Sequence, residues 1–416
     1  MTGGTIRPAL ILVGALGAVA LGSWQFGFLN SQIDLRVYRM GGSVLLDGGS
    51  LYDAQLAGSG LPFTYPPFSA VMMLPLAVVP LWLAVIAWTT LSVLCLAWIW
   101  RTTLATVDLP ERFRPTLLVI TVLTVLSLPL EPVWQTVQFG QINLLLTAMI
   151  LVDLMRPANA RGRGFWVGVA IGIKLTPLPF LAFLLVTKQW KALRNALAGL
   201  IATMAIGFAV VPKQSWSYWT EIMPNAERVG GLAYTANQSV MGFLTRVLGD
   251  SSAVRPLWFV LSCIIALTAI WLSRQLWVKG ERLGAISVCA FAVLYASPVS
   301  WSHHWVWIIP LGISLIRASY DLWGRRPAQV GLRANAKPIL IGVAWFGLFA
   351  WGPIWHVPYR DDRELEWNFG QALLGNSYLL AGLAAMAYLT VVSRALAPQP
   401  AAGAELSEPA PNTAPR

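Results

Sequence analysis

Apolar runs recur along this chain, each closed by a short polar or basic stretch. They fall at 8–29, 68–100, 115–130, 139–155, 191–211, 255–273, 283–299, 301–317, 337–356 and 371–394. A helix that crosses a bilayer needs about 20 apolar residues, and several of these runs fall a little short. The stretch 164–187 is built differently. Basic residues flank it, Arg163 before and Lys188 after, and Lys174-Leu175-Thr176-Pro177 interrupts its middle. That pattern predicts two short helices meeting near Lys174. With these the chain has about 12 spans and reads as an all-α polytopic membrane protein.

Composition agrees with that pattern. Of 416 residues, 56% are hydrophobic and only 11% charged, with 21 Trp and 16 Phe. An average soluble domain is about a quarter charged. A soluble multidomain enzyme and a disordered protein are both excluded. The net charge of +11 raises the question of a nucleic-acid partner. Placing both termini in the cytoplasm answers it, because the excess of Lys and Arg then lies wholly on the cytoplasmic side, as the positive-inside rule requires. No nucleic-acid partner is expected. The first span follows Arg7 without a clear small-residue cleavage site and reads as a retained signal anchor. Residues 1–396 form the membrane unit, and 397–416, rich in Pro, Ala and Glu, read as a disordered cytoplasmic tail. Cys95, Cys263 and Cys289 all fall inside spans, so neither a disulfide framework nor a zinc spacing is available. No repeat of 20–50 residues and no matched halves are visible.

Two segments on the outer side, 30–67 and 212–254, are long enough to hold function. The first carries Asp34-Leu35-Arg36-Val37-Tyr38, just beyond the first span, and later Tyr65-Pro66-Pro67. A carboxylate there can take a proton from a hydroxyl, or it can be a solvated acid paired with Arg36 or Arg39. The two prolines predict a rigid turn back into the membrane. Lys174 sits among apolar residues at a helix break. An ionisable group at that depth points to function, and a Lys there can neutralise a phosphate; the alternative is a side chain that snorkels to the interface. His303 and His304 open a span from outside, between Trp301 and Trp305. Either could hydrogen-bond a phosphate or a sugar hydroxyl, or both could belong to an interfacial aromatic belt. Adjacent helical positions diverge by about 100°, so the pair is poorly placed to chelate one metal. Gln138-Phe139-Gly140-Gln141-Ile142-Asn143 and Asn237-Gln238-Ser239 add amides, which suit sugar hydroxyls and serve equally as helix caps and interhelical glue.

Taken in order, Asp34-Leu35-Arg36-Val37-Tyr38, Tyr65-Pro66-Pro67, Gln138 to Asn143, Lys174-Leu175-Thr176-Pro177, Asn237-Gln238-Ser239 and Ser300-Trp301-Ser302-His303-His304 resemble the integral-membrane glycosyltransferases of family 87, with the GT-C fold. The likeness is nearest to actinobacterial α-1,2-mannosyltransferases of phosphatidylinositol mannoside or lipomannan synthesis, and covers about residues 33–307. It implies a polyprenyl-phosphate mannose donor, a glycolipid acceptor, no cofactor, and an active site on the outer face of the plasma membrane. It implies Asp34 as catalytic base, with Lys174, His304, His303 and Arg228 around the donor phosphate. Tyr65, Gln138, Gln141, Asn143, Asn237, Gln238 and Trp301 would line the substrate. Asp34 is followed by Leu35, so the paired acids of the wider GT-C pattern are missing and no metal is expected. A polyprenyl-phosphate-arabinose-dependent arabinofuranosyltransferase and a lipid or glycolipid transporter remain as alternatives.

Overall fold

The computed structural model describes residues 31–107, 115–223, 231–322 and 336–395. The first expected span, Arg228 and the tail at 397–416 lie outside the described residues. Among the described residues all regular structure is helical apart from two isolated bridges, Gln55 with Pro62 and Asn237 with Trp301.

In chain order the helices are α1 (Ile33–Leu46), α2 (Pro67–Met72), α3 (Leu74–Val78), α4 (Leu81–Leu104), α5 (Leu117–Ser127), α6 (Glu131–Phe139), α7 (Asn143–Met155), α8 (Phe165–Ile173), α9 (Pro179–Val186) and α10 (Trp190–Val210). They continue as α11 (Pro212–Ser217), α12 (Val240–Leu248), α13 (Val254–Val278), α14 (Arg282–Ala296), α15 (Ile308–Leu322), α16 (Ala336–Trp351), α17 (Phe369–Gly375) and α18 (Ser377–Ala395). Five are long and apolar enough to cross a bilayer: α4, α10, α13, α18, and α16 with its extension to Trp355. Counting the bent pair α5–α6 as one crossing makes six. The expected spans, about 12, include the run at 8–29, outside the described residues, and shorter pieces: a helix of 13–15 residues such as α7 or α14 covers only about 20–22 Å. Along α13, Phe259, Ile264 and Leu267 project away from the bundle, each more than half exposed. Apolar surface of that extent requires hydrocarbon around it. The protein is an integral membrane protein.

Prolines and glycines decide where the helices break. The expected single run at 68–100 divides into α2, α3 and α4, with Pro67 opening α2, Pro75 inside the first turn of α3 and Pro80 preceding α4. The two short pieces fold against α1, where Arg39 donates to the carbonyls of Leu76 and Val79 and so caps α3. The stretch 164–187 does split, into α8 and α9, with Lys174 extended between them. Between α5 and α6 the chain turns by 84°. Helix α6 then ends at Gly140, whose φ of 69° is left-handed. A side chain at Gly140 would strike Leu35 and Gln32, so glycine also lets α6 dock closely on α1.

Helix α8 lies directly on α10. A Cβ at Gly164 or Gly168 would run into the backbone of Ala192 or Ala196, and one at Gly172 into the Thr203 side chain. Small residues at such contacts are how helices approach in lipid, where no hydrophobic drive exists between them. The hydroxyl of Ser69, in α2, donates to the carbonyl of Ile173. The backbone on the N-terminal side of Lys174 is thus held from two sides.

Candidate functional site

At one end of the bundle, five separated segments meet around Lys174. Its Nζ donates to Asn143 Oδ1 (3.1 Å) and to His304 Nε2 (3.2 Å), and stands 5.5 Å from the centre of the Tyr65 ring. An ammonium only donates, so His304 accepts through Nε2 and carries its proton on Nδ1. Asn143 uses both ends of its amide: Oδ1 takes Lys174, and Nδ2 donates to the carbonyl of His303 (2.8 Å). Thr136 Oγ1 donates to the same carbonyl at 3.0 Å. Lys174 is 9% exposed, a depth at which a cation needs such partners.

Asp34 faces this cation from the first turn of α1, partly open to solvent. Burial pushes its carboxyl up to about 6, while the Lys174 charge and a hydrogen bond from Gln141 hold it below what burial alone would give. Arg39, a candidate partner for Asp34, is committed to the α3 carbonyls instead. Beside Asp34 lies a hydroxyl–amide chain: Tyr38 Oη donates to Gln141 Oε1 (2.9 Å) and stands 3.1 Å from Tyr65 Oη, and Gln141 Nε2 donates to Tyr65 Oη (3.4 Å). Tyr52 donates to the Tyr65 carbonyl (3.0 Å), which fixes the turn before Pro66.

His304 lines a cleft together with the polar residues Asn143, Thr147, Thr176 and Ser300. The rest of its lining is apolar and includes Leu146, Ile150, Phe180, Leu294, Val306 and Trp307. His303 points elsewhere. It is 6% exposed, packs edge-on to Phe139 and leaves Nε2 without a hydrogen-bond partner.

The side chains of two expected substrate residues grip backbone. Asn237 and Gln238 are fully buried and their amides engage backbone. Asn237 accepts from Ser300 N (2.9 Å) and donates to the carbonyls of Leu232 and Pro298; Gln238 donates to those of Thr235 and Gly375. Together they brace the strand-like stretch that leads into His304. The main-chain carbonyl of Gln138 accepts from Ser31 and from Gln32 Nε2 (2.9 Å), joining α6 to the start of α1. Trp301 stays half-buried, its ring 6.1 Å from that of Tyr234. Among the described residues no group of three or more His, Cys, Asp or Glu side chains converges as a metal site would need.

Sequence reasoning passed over a second set of buried charges at the same end. Glu131 accepts from Trp355 Nε1 (2.9 Å), from Tyr378 Oη (3.1 Å) and from Ser302. Arg246 donates to the carbonyls of Ala233, Tyr234 and Asn237 and to Asn376 Oδ1. Glu364 accepts from the backbone N–H groups of Thr235 and Arg360. For Glu131, the signal was available: an acid followed by proline between two apolar runs. The other two have partners more than 100 residues away and no local pattern.

The sequence profile of glycosyltransferase family 87 matches residues 63–298. A curated relative from Mycobacterium tuberculosis, a polyprenol-phosphate-mannose-dependent alpha-(1-2)-phosphatidylinositol mannoside mannosyltransferase, is 33% identical over 93% of this chain and 92% of its own length. One from Mycolicibacterium smegmatis, a polyprenol-phosphate-mannose-dependent alpha-(1-2)-phosphatidylinositol pentamannoside mannosyltransferase, is 32% identical over 92% and 91%. No solved structure matches. The profile covers more than half of the chain and the relatives nearly all of it, so the chain belongs to glycosyltransferase family 87.

Proposed function

We propose that this protein is a membrane α-1,2-mannosyltransferase. It moves mannose from polyprenyl-phosphate mannose to a phosphatidylinositol mannoside on the outer face of the plasma membrane, and its fold is GT-C. The observation that carries the reading is the meeting of Asp34 with Lys174, Asn143 and His304, the last two of which also line a mostly apolar cleft. Such a cleft suits a lipid-linked sugar phosphate, with the isoprenoid along Phe180, Leu294 and Trp307 and the phosphate beside Lys174. The names of the relatives supply the same donor and acceptor class.

The reaction is one displacement. An acceptor hydroxyl oxygen bonds to the anomeric carbon as the bond from that carbon to the phosphate oxygen breaks. Asp34 receives the hydroxyl proton, and its carboxyl near 6 leaves it ionised at neutral pH. Lys174 compensates the charge that develops on the departing polyprenyl phosphate, where preorganised charge contributes most. Its third N–H, unused by Asn143 and His304, is the donor for that oxygen. Attack from the face opposite the phosphate turns a β-linked donor into an α-mannoside.

The test offers purified protein in nanodiscs polyprenyl-phosphate mannose or polyprenyl-phosphate arabinose with a phosphatidylinositol mannoside, and weighs the product. A gain of one hexose from the mannose donor is expected, with the new linkage cleaved by an α-1,2-mannosidase. A gain of one pentose would replace the sugar and keep the site. Transfer from neither donor would overturn the enzyme reading.

A further inference from the structure

One surface at the site end of the bundle takes no part in the chemistry just described. The loop after α16 brings Trp355, Tyr359 and Arg360 against Tyr234 and Trp301. Tyr234 lies 6.1 Å from Trp301, 6.2 Å from Trp355 and 6.3 Å from Tyr359 by ring centres, and Trp355 lies 5.4 Å from Tyr359. All four rings are half-buried, so each still shows part of itself to the outside. The exposed Arg360 leans over the Tyr359 ring and hydrogen-bonds the Tyr234 hydroxyl.

The loop is held in a costly shape. Arg360, Asp361 and Asp362 have φ of 70°, 53° and 60°, three of the four described non-glycine residues in the left-handed region. Backbone of that kind persists only where its surroundings enforce it, and it gathers at binding and switch sites. Here the buried carboxylate of Glu364 takes the Arg360 N–H at 3.0 Å, and Arg363 donates to the carbonyls of Tyr359 and Arg360. Trp367 Nε1 donates to the Pro358 carbonyl at 2.7 Å. Left-handed backbone at three residues, secured from three directions, serves to present Tyr359 and Arg360 in one orientation.

The platform is wired to the site. The carbonyl of Trp301 accepts the N–H of His304 (2.8 Å), and Trp355 binds Glu131, which in turn holds Ser302. Charges of both signs accompany it in the loop: Arg360 and Arg363 stand among Asp361, Asp362, Glu364 and Glu366. Aromatic faces bordered by both acids and a guanidinium suit a neutral polyol, whose C–H faces lie on rings while its hydroxyls donate to carboxylates and accept from Arg.

We propose that Trp301, Tyr234, Trp355, Tyr359 and Arg360 form a second carbohydrate subsite, which takes mannosyl units of the acceptor glycan beyond the one that reacts. The subsite rests on the mannosyltransferase reading, and through it the enzyme selects acceptors already several sugars long.

The experiment compares two synthetic acceptors, octyl α-mannoside and an octyl α-mannotetraoside, with polyprenyl-phosphate mannose as donor. Two variants are used: Tyr359→Leu, and Arg360→Gly, which keeps the left-handed backbone without strain. Each is expected to raise KM for the tetraoside about tenfold, to leave kcat within about twofold, and to leave the octyl mannoside unaffected. Parallel losses on both acceptors would mean that the loop only supports the fold, and no change on either would mean that it meets no sugar; both overturn the subsite. Calorimetric titration of the tetraoside into the native protein separates this from the larger reading. Transfer without tetraoside binding removes the subsite alone, whereas binding without transfer from any donor removes the transferase reading and keeps the subsite as a sugar site.

Discussion

Two acids at the site end, Asp34 and Glu131, invite comparison. Helix α6 connects them, with Glu131 in its first turn and its last turn docked on the helix that carries Asp34, about 13 Å away along nine residues. Burial raises the Asp34 carboxyl to about 6. The neighbours of the two acids differ. Asp34 looks at an ammonium and an amide and is partly open to solvent; Glu131 is ringed by the neutral donors of Trp355, Tyr378 and Ser302 and is 7% exposed. A nearby cation keeps a buried carboxylate ionised and reactive, whereas neutral donors hold a carboxyl in place without preparing it for proton transfer. Burial of an acid therefore identifies neither a base nor a brace until its partners are known.

The largest expected effect separates the two. Asp34→Asn should lower kcat by about 10²–10⁴-fold, the usual contribution of a positioned base, with the melting temperature in detergent unchanged or raised. An Asp34→Asn protein that turned over normally would hand the base role to another group. Lys174→Met should cost about 10²–10³-fold, as loss of a preorganised donor does, and Lys174→Arg should recover little because its planar fork does not fit between Asn143 and His304.

The pH profile sharpens the contrast. Asp34 accepts a proton only when ionised, so kcat/KM should fall about tenfold per unit below about pH 6, and Glu131→Gln should leave that limb where it is. Glu131 should appear in stability instead. Glu131→Gln should lower the melting temperature at a cost of about 1–3 kcal/mol, because the new amide N–H₂ confronts Trp355 or Tyr378 as donor against donor. A melting temperature equal to that of the native protein would remove its role as a brace. The smallest effect belongs to Gln138→Ala. Since the Gln138 carbonyl makes the bonds to Ser31 and Gln32, transfer should stay within about twofold, and a large loss would return its side chain to the substrate.

What could be read from the sequence follows from what stands out against apolar surroundings. Asp34, Lys174 and the histidine pair were conspicuous because charges in and beside spans are rare, and the split of 164–187 followed from one Lys and one Pro. Asn237 and Gln238 were equally conspicuous and were assigned to substrate, since an amide that grips backbone and one that grips sugar look alike until the partner is seen. Arg246, Glu364 and the platform loop depend on pairings across more than 100 residues, which no local pattern encodes.

The stripe Gly164, Gly168 and Gly172 has a consequence for where this enzyme is vulnerable. Because α8 rests on the α10 backbone at Gly164 and Gly168, the position of the Lys174 ammonium is set by the thickness of a hydrogen atom two turns away. A methyl group at Gly168 would act as a wedge, tilting the half-helix and moving the cation off the line to the leaving oxygen. Substrate analogues would still find every catalytic group present. Such a mutant would keep its full inventory of reactive side chains and lose its aim, which makes a lipid-buried glycine as sensitive a control point as any residue that touches the sugar.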